Sequence, residues 1–282
     1  MHIHNTASYF LENYEPTVEF LESYYAKFPE QFEEYFTYHL ANPDEKKKLA
    51  LANYPEGMAS IQVISDKLPA RARAIVDNYE ESYHHTFLQD VHVIVGAYGS
   101  NAYTHRQIVP DITFCIEKLQ ADDITIDTII AHEFGHALHN ALSDKAGIEW
   151  SKVNWTGPYT MLLQEGVATY LSMQVVDAPE SVYFSYHLEG DEWLAFAKEH
   201  EAEIAAAFLK DIHTLSTNEL FHEWFSIRGG TRFGHTRFAY YLGFRIVETL
   251  MATRDEIAVI TLWKENEFEK MIEEALQELA GE

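Results

Sequence analysis

Two histidines four residues apart, with a glutamate directly after the first, occur in the stretch IDTIIAHEFGHALHN at residues 126–140. On an α-helix, His132 and His136 lie about 40° apart and one turn along, so both imidazoles can bind one ion. Glu133 is turned about 100° from His132, which places its carboxylate beside the ion, where a base acting on bound water must be. The spacing predicts a metal site with a general base. The alternative is a structural helix in a chain that has 15 histidines.

A catalytic zinc site needs three protein ligands and one open position, so a third ligand must be found. His139 shares the helix face, but its Cα lies about 10.5 Å along the axis from that of His132, which is far for one small ion. Glu165, in the later stretch LLQEGVATY, is the better candidate. Its helix carries small side chains that let another helix approach closely, namely Gly166, Ala168, Thr169 and Ser172. Two imidazoles and one carboxylate suit a single catalytic Zn²⁺.

HEFGH followed by QEGVATY resembles the gluzincin metallopeptidases, in which HExxH and a glutamate on a later helix bind zinc. The metzincin pattern does not fit, because Leu142 and His139 stand where that pattern needs a histidine and a glycine. Within the gluzincins the chain is most similar to the YjaZ-type zinc-dependent peptidases, on GSNAYT, the two zinc motifs and YYLGFRIVE. The resemblance covers roughly residues 90–250 and is weak over the N-terminal part.

The resemblance implies that His132, His136 and Glu165 are the zinc ligands and that Glu133 takes a proton from the zinc-bound water. It implies a zinc-dependent peptidase acting on a peptide or protein substrate. The alternative function is a zinc-containing binding or regulatory protein of the same zincin fold that does not turn peptides over.

Peptide hydrolysis also needs a donor for the developing oxyanion. Relatives use a histidine or a tyrosine, and the stretch RFGHTRFAYYLGFRIVE offers both His235 and Tyr240. We favour Tyr240, because it opens the Tyr-Tyr-Leu-Gly element on which the resemblance depends. Asn101 and Ala102 resemble the Asn-Ala that follows the substrate-aligning edge strand in gluzincins, where main-chain groups pair with an extended substrate.

Composition restricts the partners of the chain. A formal net charge of −25, from 20 basic and 45 acidic residues, repels nucleic acid and anionic membrane surfaces. The N-terminus lacks the pattern of a signal peptide, and no segment approaches roughly 18 uninterrupted apolar residues. The single cysteine, Cys115, is expected to be buried in a strand, which suits a reducing compartment. We expect a cytoplasmic protein, and the sequence leaves its oligomeric state open.

The periodicity predicts a mostly helical α+β protein with a zincin-like core. Residues 1–88 are expected to form a helical N-terminal lobe, with breaks at ANPDEK and NYPEG. Residues 89–282 are expected to form the catalytic domain, with the sheet and the HExxH helix in 89–185 and helices in 186–282.

Within the catalytic domain, DVHVIVGAY and DITFCIEKL are predicted strands, separated by a turn in GSNAYTHRQIVP. Thr125 or Asp127 is expected to cap the HExxH helix, and Pro158 to lie in the first turn of the Glu165 helix. The later helices are expected to break at SIRGGTRFGHTR.

Overall fold

The computed structural model describes residues 1–281, which are mostly helical with a small mixed sheet, so the α+β prediction is confirmed. The strands of this range are β1 (Ile3–Asn5), β2 (Val91–Ile94), β3 (Ala102–Thr104) and β4 (Ile112–Cys115). The α-helices are α1 (Ala7–Asn13), α2 (Val18–Lys27), α3 (Pro29–Glu34), α4 (Pro43–Tyr83), α5 (Asp123–Lys145), α6 (Pro158–Val175), α7 (Glu180–Ser185), α8 (Asp191–Glu199), α9 (Glu201–Thr214), α10 (Thr217–Trp224), α11 (Phe238–Met251), α12 (Glu256–Ile260) and α13 (Phe268–Ala280). A π-helical turn covers Tyr35–His39.

The chain forms two compact units, Met1–Phe134 and Gly135–Glu282, and the division falls within the continuous helix α5. The first unit contains the sheet, and the second is helical. The division between residues 88 and 89 that the sequence suggests stays a prediction. Across residues 1–281, no helix combines the length and the hydropathy needed to cross a bilayer.

The sheet of the first unit has the strand order β1-β2-β4-β3. β1 pairs parallel with β2 and β2 parallel with β4, whereas β3 pairs antiparallel with β4 and lies at an edge. Both predicted strands are present as β2 and β4, and Cys115 is buried at the end of β4 as expected. Two further strands were not predicted. β1 lies in the lobe expected to be helical, and β3 lies in the segment expected to be a turn.

Helix α4 runs for 41 residues through Pro55, so the predicted break at NYPEG is wrong, whereas the break at ANPDEK is confirmed. Proline removes one backbone donor from a helix, but a buried face of the helix can offset that cost. Tyr54, next to the proline, is fully buried and its hydroxyl donates to the carbonyl oxygen of Gly96. The core of this unit is rich in buried aromatic rings, including Phe10, Tyr24, Phe32, Tyr35, Tyr54 and Tyr79.

The start of α5 lies earlier than the sequence suggested. Neither Thr125 nor Asp127 is the cap. The Asp122 carboxylate accepts a hydrogen bond of 2.9 Å from the backbone nitrogen of Thr125, which is the geometry of an N-cap. Asp122 precedes the first helical residue, Asp123. The first-turn position of Pro158 in α6 is confirmed.

Helix α6 packs closely against α11 in the second unit. A Cβ built on Gly166 of α6 would lie 2.2 Å from the carbonyl oxygen of Gly243 in α11, so the backbones touch there. Buried side chains surround the rest of α6, including Leu162, Leu163, Val167 and Leu171. The predicted break between the later helices is confirmed, because α10 ends at Trp224 and α11 begins at Phe238.

One face of the sheet carries stacked rings. His4 stacks on His92 with ring centroids 5.3 Å apart, and His92 stacks on His105 at 5.4 Å. Tyr103 continues the stack, 5.6 Å from His105 and 3.5 Å from His39. Because side chains alternate along a strand, Thr104 next to Tyr103 belongs to the opposite face.

We predict that Gly166→Ala destabilises the second unit, because the new methyl group meets the backbone of Gly243. The expected loss is about 2 kcal/mol or more, typical of overpacking in a core. Gly57→Ala is the matched control, since Gly57 lies in α4 and a Cβ there would be 3.4 Å from its nearest neighbour, the Tyr98 hydroxyl. That change should raise stability by about 0.5–1 kcal/mol. Thermal unfolding measures both variants, and equal stability of the two would contradict the packing argument.

A second prediction concerns pH. Burial lowers the pKa of His92 from 6.5 to about 4, helped by the charges of His105 and His4 and opposed by Asp111 and Asp90. A depressed folded-state pKa means that the unfolded chain binds the proton first, so stability present above pH 6.5 is lost as pH falls from 6.5 towards 4.

His92→Phe removes this titration and keeps a ring in the stack. Its free energy of unfolding should therefore fall less steeply over that window than that of the wild type. Denaturant titrations at pH 7, 6, 5 and 4.5 measure the slope. His213→Phe, at an exposed histidine of α9, is the control and should keep the wild-type slope. Parallel curves for His92→Phe and the wild type would refute the assignment.

Candidate metal and catalytic site

Helix α5 presents His132, Glu133 and His136 from an apolar setting. Its apolar residues Ile129, Ile130, Ala131 and Phe134 are buried. The hydroxyl of Tyr79 donates to the Ala131 carbonyl oxygen at 2.8 Å, which fixes the turn just before the first histidine. His132 and Glu133 are less than a tenth exposed. The helix therefore holds these side chains on a rigid, largely desolvated support.

Helix α6 packs so closely against α5 that their backbones are in contact. A Cβ on Gly135 would lie 2.9 Å from the carbonyl oxygen of Ala168 and 3.1 Å from its Cα, so only glycine permits this separation. The close approach expected from the small residues of α6 is confirmed, but these small residues contact two different helices. Ala168 faces Gly135 of α5, whereas Gly166 faces Gly243 of α11.

This approach brings Glu165 next to His136. The Nε2 atom of His136 lies 3.5 Å from Oε2 of Glu165. His132, His136 and Glu165 each offer one ligand atom, and all three atoms lie within 4.8 Å of one another. Among residues 1–281 this is the one group of three or more histidine, cysteine and acidic side chains with such spacing. We call these three residues the ligand group.

The ligand group, two imidazoles and one carboxylate, offers donor atoms of the types that zinc binds. Zinc binds imidazole nitrogen and carboxylate oxygen at about 2.0–2.2 Å, so two ligand atoms of a tetrahedral site are about 3.3–3.6 Å apart. The distance of 3.5 Å between His136 and Glu165 lies in that range, and the bound of 4.8 Å on the whole group is wider than it. Three protein ligands also leave a fourth position open, which is the arrangement of catalytic zinc sites.

Glu133 lies outside the ligand group and has a partner of its own. The hydroxyl of Thr104 donates to Oε2 of Glu133 at 3.1 Å. Thr104 is the last residue of β3, the edge strand of the sheet. The Glu133 carboxylate is therefore attached to the edge strand by a hydrogen bond.

The loop that leads into β3 is held by buried groups. The Glu117 carboxylate accepts hydrogen bonds from the backbone nitrogens of Gly96 at 2.8 Å and Tyr98 at 3.0 Å. The Tyr35 hydroxyl accepts from the intervening Ala97 at 2.7 Å and from Gly99 at 3.1 Å. Four consecutive backbone donors are thus satisfied by two side chains, which fixes the entry to the edge strand.

Burial raises the pKa of Glu117 to about 7, and the two backbone donors partly oppose that shift.

Ala102 opens β3 instead of following an edge strand, and the carbonyl oxygen of Asn101 accepts a hydrogen bond of 2.7 Å from the backbone nitrogen of Cys115 in β4. The two residues therefore lie at the beginning of the edge strand. Ala102 belongs to the same strand as Thr104, and Asn101 directly precedes it.

His139 is buried in the second unit and packs on Trp263, with ring centroids 4.1 Å apart. Burial lowers its pKa to about 3. Trp263 in turn donates its indole hydrogen to the Ser143 hydroxyl at 2.5 Å. His139 does not belong to the ligand group, whose third member is Glu165. Its role is packing within the core.

The two candidate oxyanion donors occupy different surroundings. Tyr240 lies in the first turn of α11, one turn before Gly243, which contacts the residue that follows Glu165. The guanidinium carbon of Arg237 lies 5.5 Å from the centre of the Tyr240 ring. His235 precedes the helix and packs against aromatic rings, 4.6 Å from Phe196. Tyr240 thus belongs to the helix that packs on α6, whereas His235 belongs to an aromatic cluster.

A cavity of about 630 Å³ lies elsewhere in the second unit. Its lining includes Asp211, Glu223 and Arg232 but no member of the ligand group. Asp211 accepts hydrogen bonds from Arg232 at 2.6 Å and from Trp224 at 3.0 Å. Glu223 accepts from the backbone nitrogen of Arg232 at 2.8 Å. These carboxylates are engaged in holding the loop before α11, so the cavity is not the candidate site.

Thr104 is the site residue that the sequence analysis missed. Its segment was interpreted as a turn, so no side of a strand was assigned to it. The alternation of Ala102, Tyr103 and Thr104 gives a weak signal once β3 is known, because Thr104 then shares the face of Ala102.

The chain was compared with protein-family models, with curated proteins and with solved structures, and none of the three comparisons finds a match.

We predict that Glu165→Ala weakens zinc binding at least about 100-fold, because it removes one of three ligands. The matched control is Glu199→Ala, an exposed glutamate at the end of α8 in the same unit. Metal analysis after dialysis against zinc buffers measures the occupancy of both variants. Full occupancy in Glu165→Ala would place the third ligand elsewhere, and His139 would be examined first.

Proposed function

We propose that this protein is a zinc-dependent peptidase of the gluzincin type, in which the ligand group holds one zinc ion and Glu133 is the general base. The observation that carries the proposal is the convergence of Glu165, from a separate helix, with the two histidines of α5. Glu133, which lies between those histidines in the sequence, bonds to Thr104 instead. A helix that is rich in histidine for structural reasons needs neither feature.

His132, His136 and Glu165 would hold the zinc ion, which would supply a Lewis acid able to lower the pKa of water and polarise a carbonyl oxygen. The Glu133 carboxylate accepts the proton of the attacking water and delivers it to the leaving amine nitrogen. Glu133 and His132 are 7% and 3% exposed, so bulk water has little access to them. Low solvent access strengthens the charge interactions on which proton transfer depends.

The edge strand β3 suits an extended peptide substrate. The sheet order leaves one side of β3 without a neighbouring strand in the described range 1–281. Main-chain groups on such a side can pair with a substrate as an added strand. Because Thr104 of this strand bonds to Glu133, a peptide paired with β3 would run beside the base.

Tyr240 remains our preferred donor to the developing oxyanion. It lies on α11, which contacts α6 at the residue directly after Glu165. His235 is the second candidate, but its ring packs on Phe196. Donors of this kind stabilise negative charge on the substrate oxygen as the peptide bond is attacked.

We predict that Glu133→Gln keeps the zinc and lowers peptide hydrolysis by about 10²- to 10⁴-fold, because the amide cannot accept the proton. The substrate is a mixed peptide library, and mass spectrometry of the products measures the cleavage rate and the cleaved bond. Glu81→Gln, at an exposed glutamate of α4, is the matched control and should match the wild type.

Chelator treatment should abolish cleavage, and added zinc should restore it. Retained turnover in Glu133→Gln would remove that residue from its proposed role. A zinc-loaded wild type that cleaves no peptide would instead favour the alternative, a zinc-containing binding or regulatory protein.

A further inference from the structure

Thr104 occupies a fixed position on the sheet. Its backbone pairs with Ile112 of β4, and its neighbour Tyr103 is anchored on the opposite face between His39 and His105. The loop before the strand is fixed by Glu117, which binds the backbone at two points. The Thr104 hydroxyl is therefore presented to α5 from a rigid support.

The hydrogen bond from this hydroxyl restricts the Glu133 carboxylate. A glutamate side chain has three rotatable torsions, and the last of them has a broad energy minimum. Donation to Oε2 at 3.1 Å restricts the position of that oxygen. Hydrogen bonds to an ionised acceptor are about twice as strong as those between neutral groups. The bond therefore restrains the torsions that the helix backbone leaves open.

We propose that Thr104 is a positioning residue, which holds the Glu133 carboxylate beside the ligand group through its hydroxyl and links it to the edge strand. This inference rests on the proposed function of Glu133 as the base. The requirement is for a hydroxyl at position 104, so serine should replace threonine and valine should not. Valine has nearly the shape of threonine and lacks the donor.

The kinetic test compares Thr104→Val with Thr104→Ser and the wild type, all loaded with zinc. A base that is held less well slows the chemical step more than it weakens substrate binding. We expect kcat of Thr104→Val to fall about 10- to 100-fold, with KM changed less than about threefold, the range seen for groups that orient others. Thr104→Ser should retain kcat within about threefold of the wild type. The zinc content of all three proteins should be equal.

The structural test needs neither metal nor activity. Crystal structures of the metal-free proteins should show one orientation of the Glu133 carboxylate in the wild type and in Thr104→Ser. In Thr104→Val the carboxylate should rotate away or occupy several orientations. Thermal unfolding of the variants shows whether they fold as the wild type does. If Thr104→Val does not fold, the orientation of Glu133 in Thr104→Ser still tests the proposal.

An unchanged kcat in Thr104→Val would overturn the proposal. A serine variant as defective as the valine variant would also overturn it, because packing of the methyl group would then be the cause. If the wild type cleaves no peptide, the peptidase assignment fails. The orientation of Glu133 in the metal-free crystals then decides by itself whether Thr104 positions the carboxylate.

Discussion

Backbone contact at glycine determines where the candidate ligands lie. Gly135 of α5 lies against Ala168 of α6, and Gly166 of α6 lies against Gly243 of α11. A Cβ on any of these glycines would come within 3 Å of backbone atoms, so side chains cannot separate the helices there. The distance between packed helices depends on the side chains at their contact, and glycine gives the smallest distance. Glu165 reaches the histidines of α5 because of this separation.

The candidate base and the candidate ligands are supported by different elements. Packing of α6 places the Glu165 carboxylate at His136, whereas Thr104 of the edge strand β3 donates a hydrogen bond to Glu133. The buried Glu117 carboxylate, which fixes the loop before β3, accepts hydrogen bonds from backbone donors. A buried charge needs such partners, since an unpaired one is costly. The proposed metal binding and the proposed proton transfer therefore depend on different contacts.

At several positions the packing produced a different secondary structure from the one that the local sequence indicated. Pro55 of α4 indicated a break, but the helix continues, because burial of one face can offset the loss of one backbone hydrogen bond. The segment of β3 contains turn-forming residues, and three residues are too few for a periodic signal. β1 is equally short, and only pairing with β2 makes it a strand. In each case the decisive partner is distant in the chain.

The sequence by itself determined the relative positions of residues within one helix. The spacing of His132, Glu133 and His136 sets their angles because helix geometry is local, and the small residues after Glu165 indicated that a second helix could approach. The tertiary structure alone decided which small residue meets which helix, that Glu165 and not His139 lies with His132 and His136, and that Thr104 bonds to Glu133. These outcomes depend on strand pairing and helix contact between distant segments, and no local periodicity encodes them.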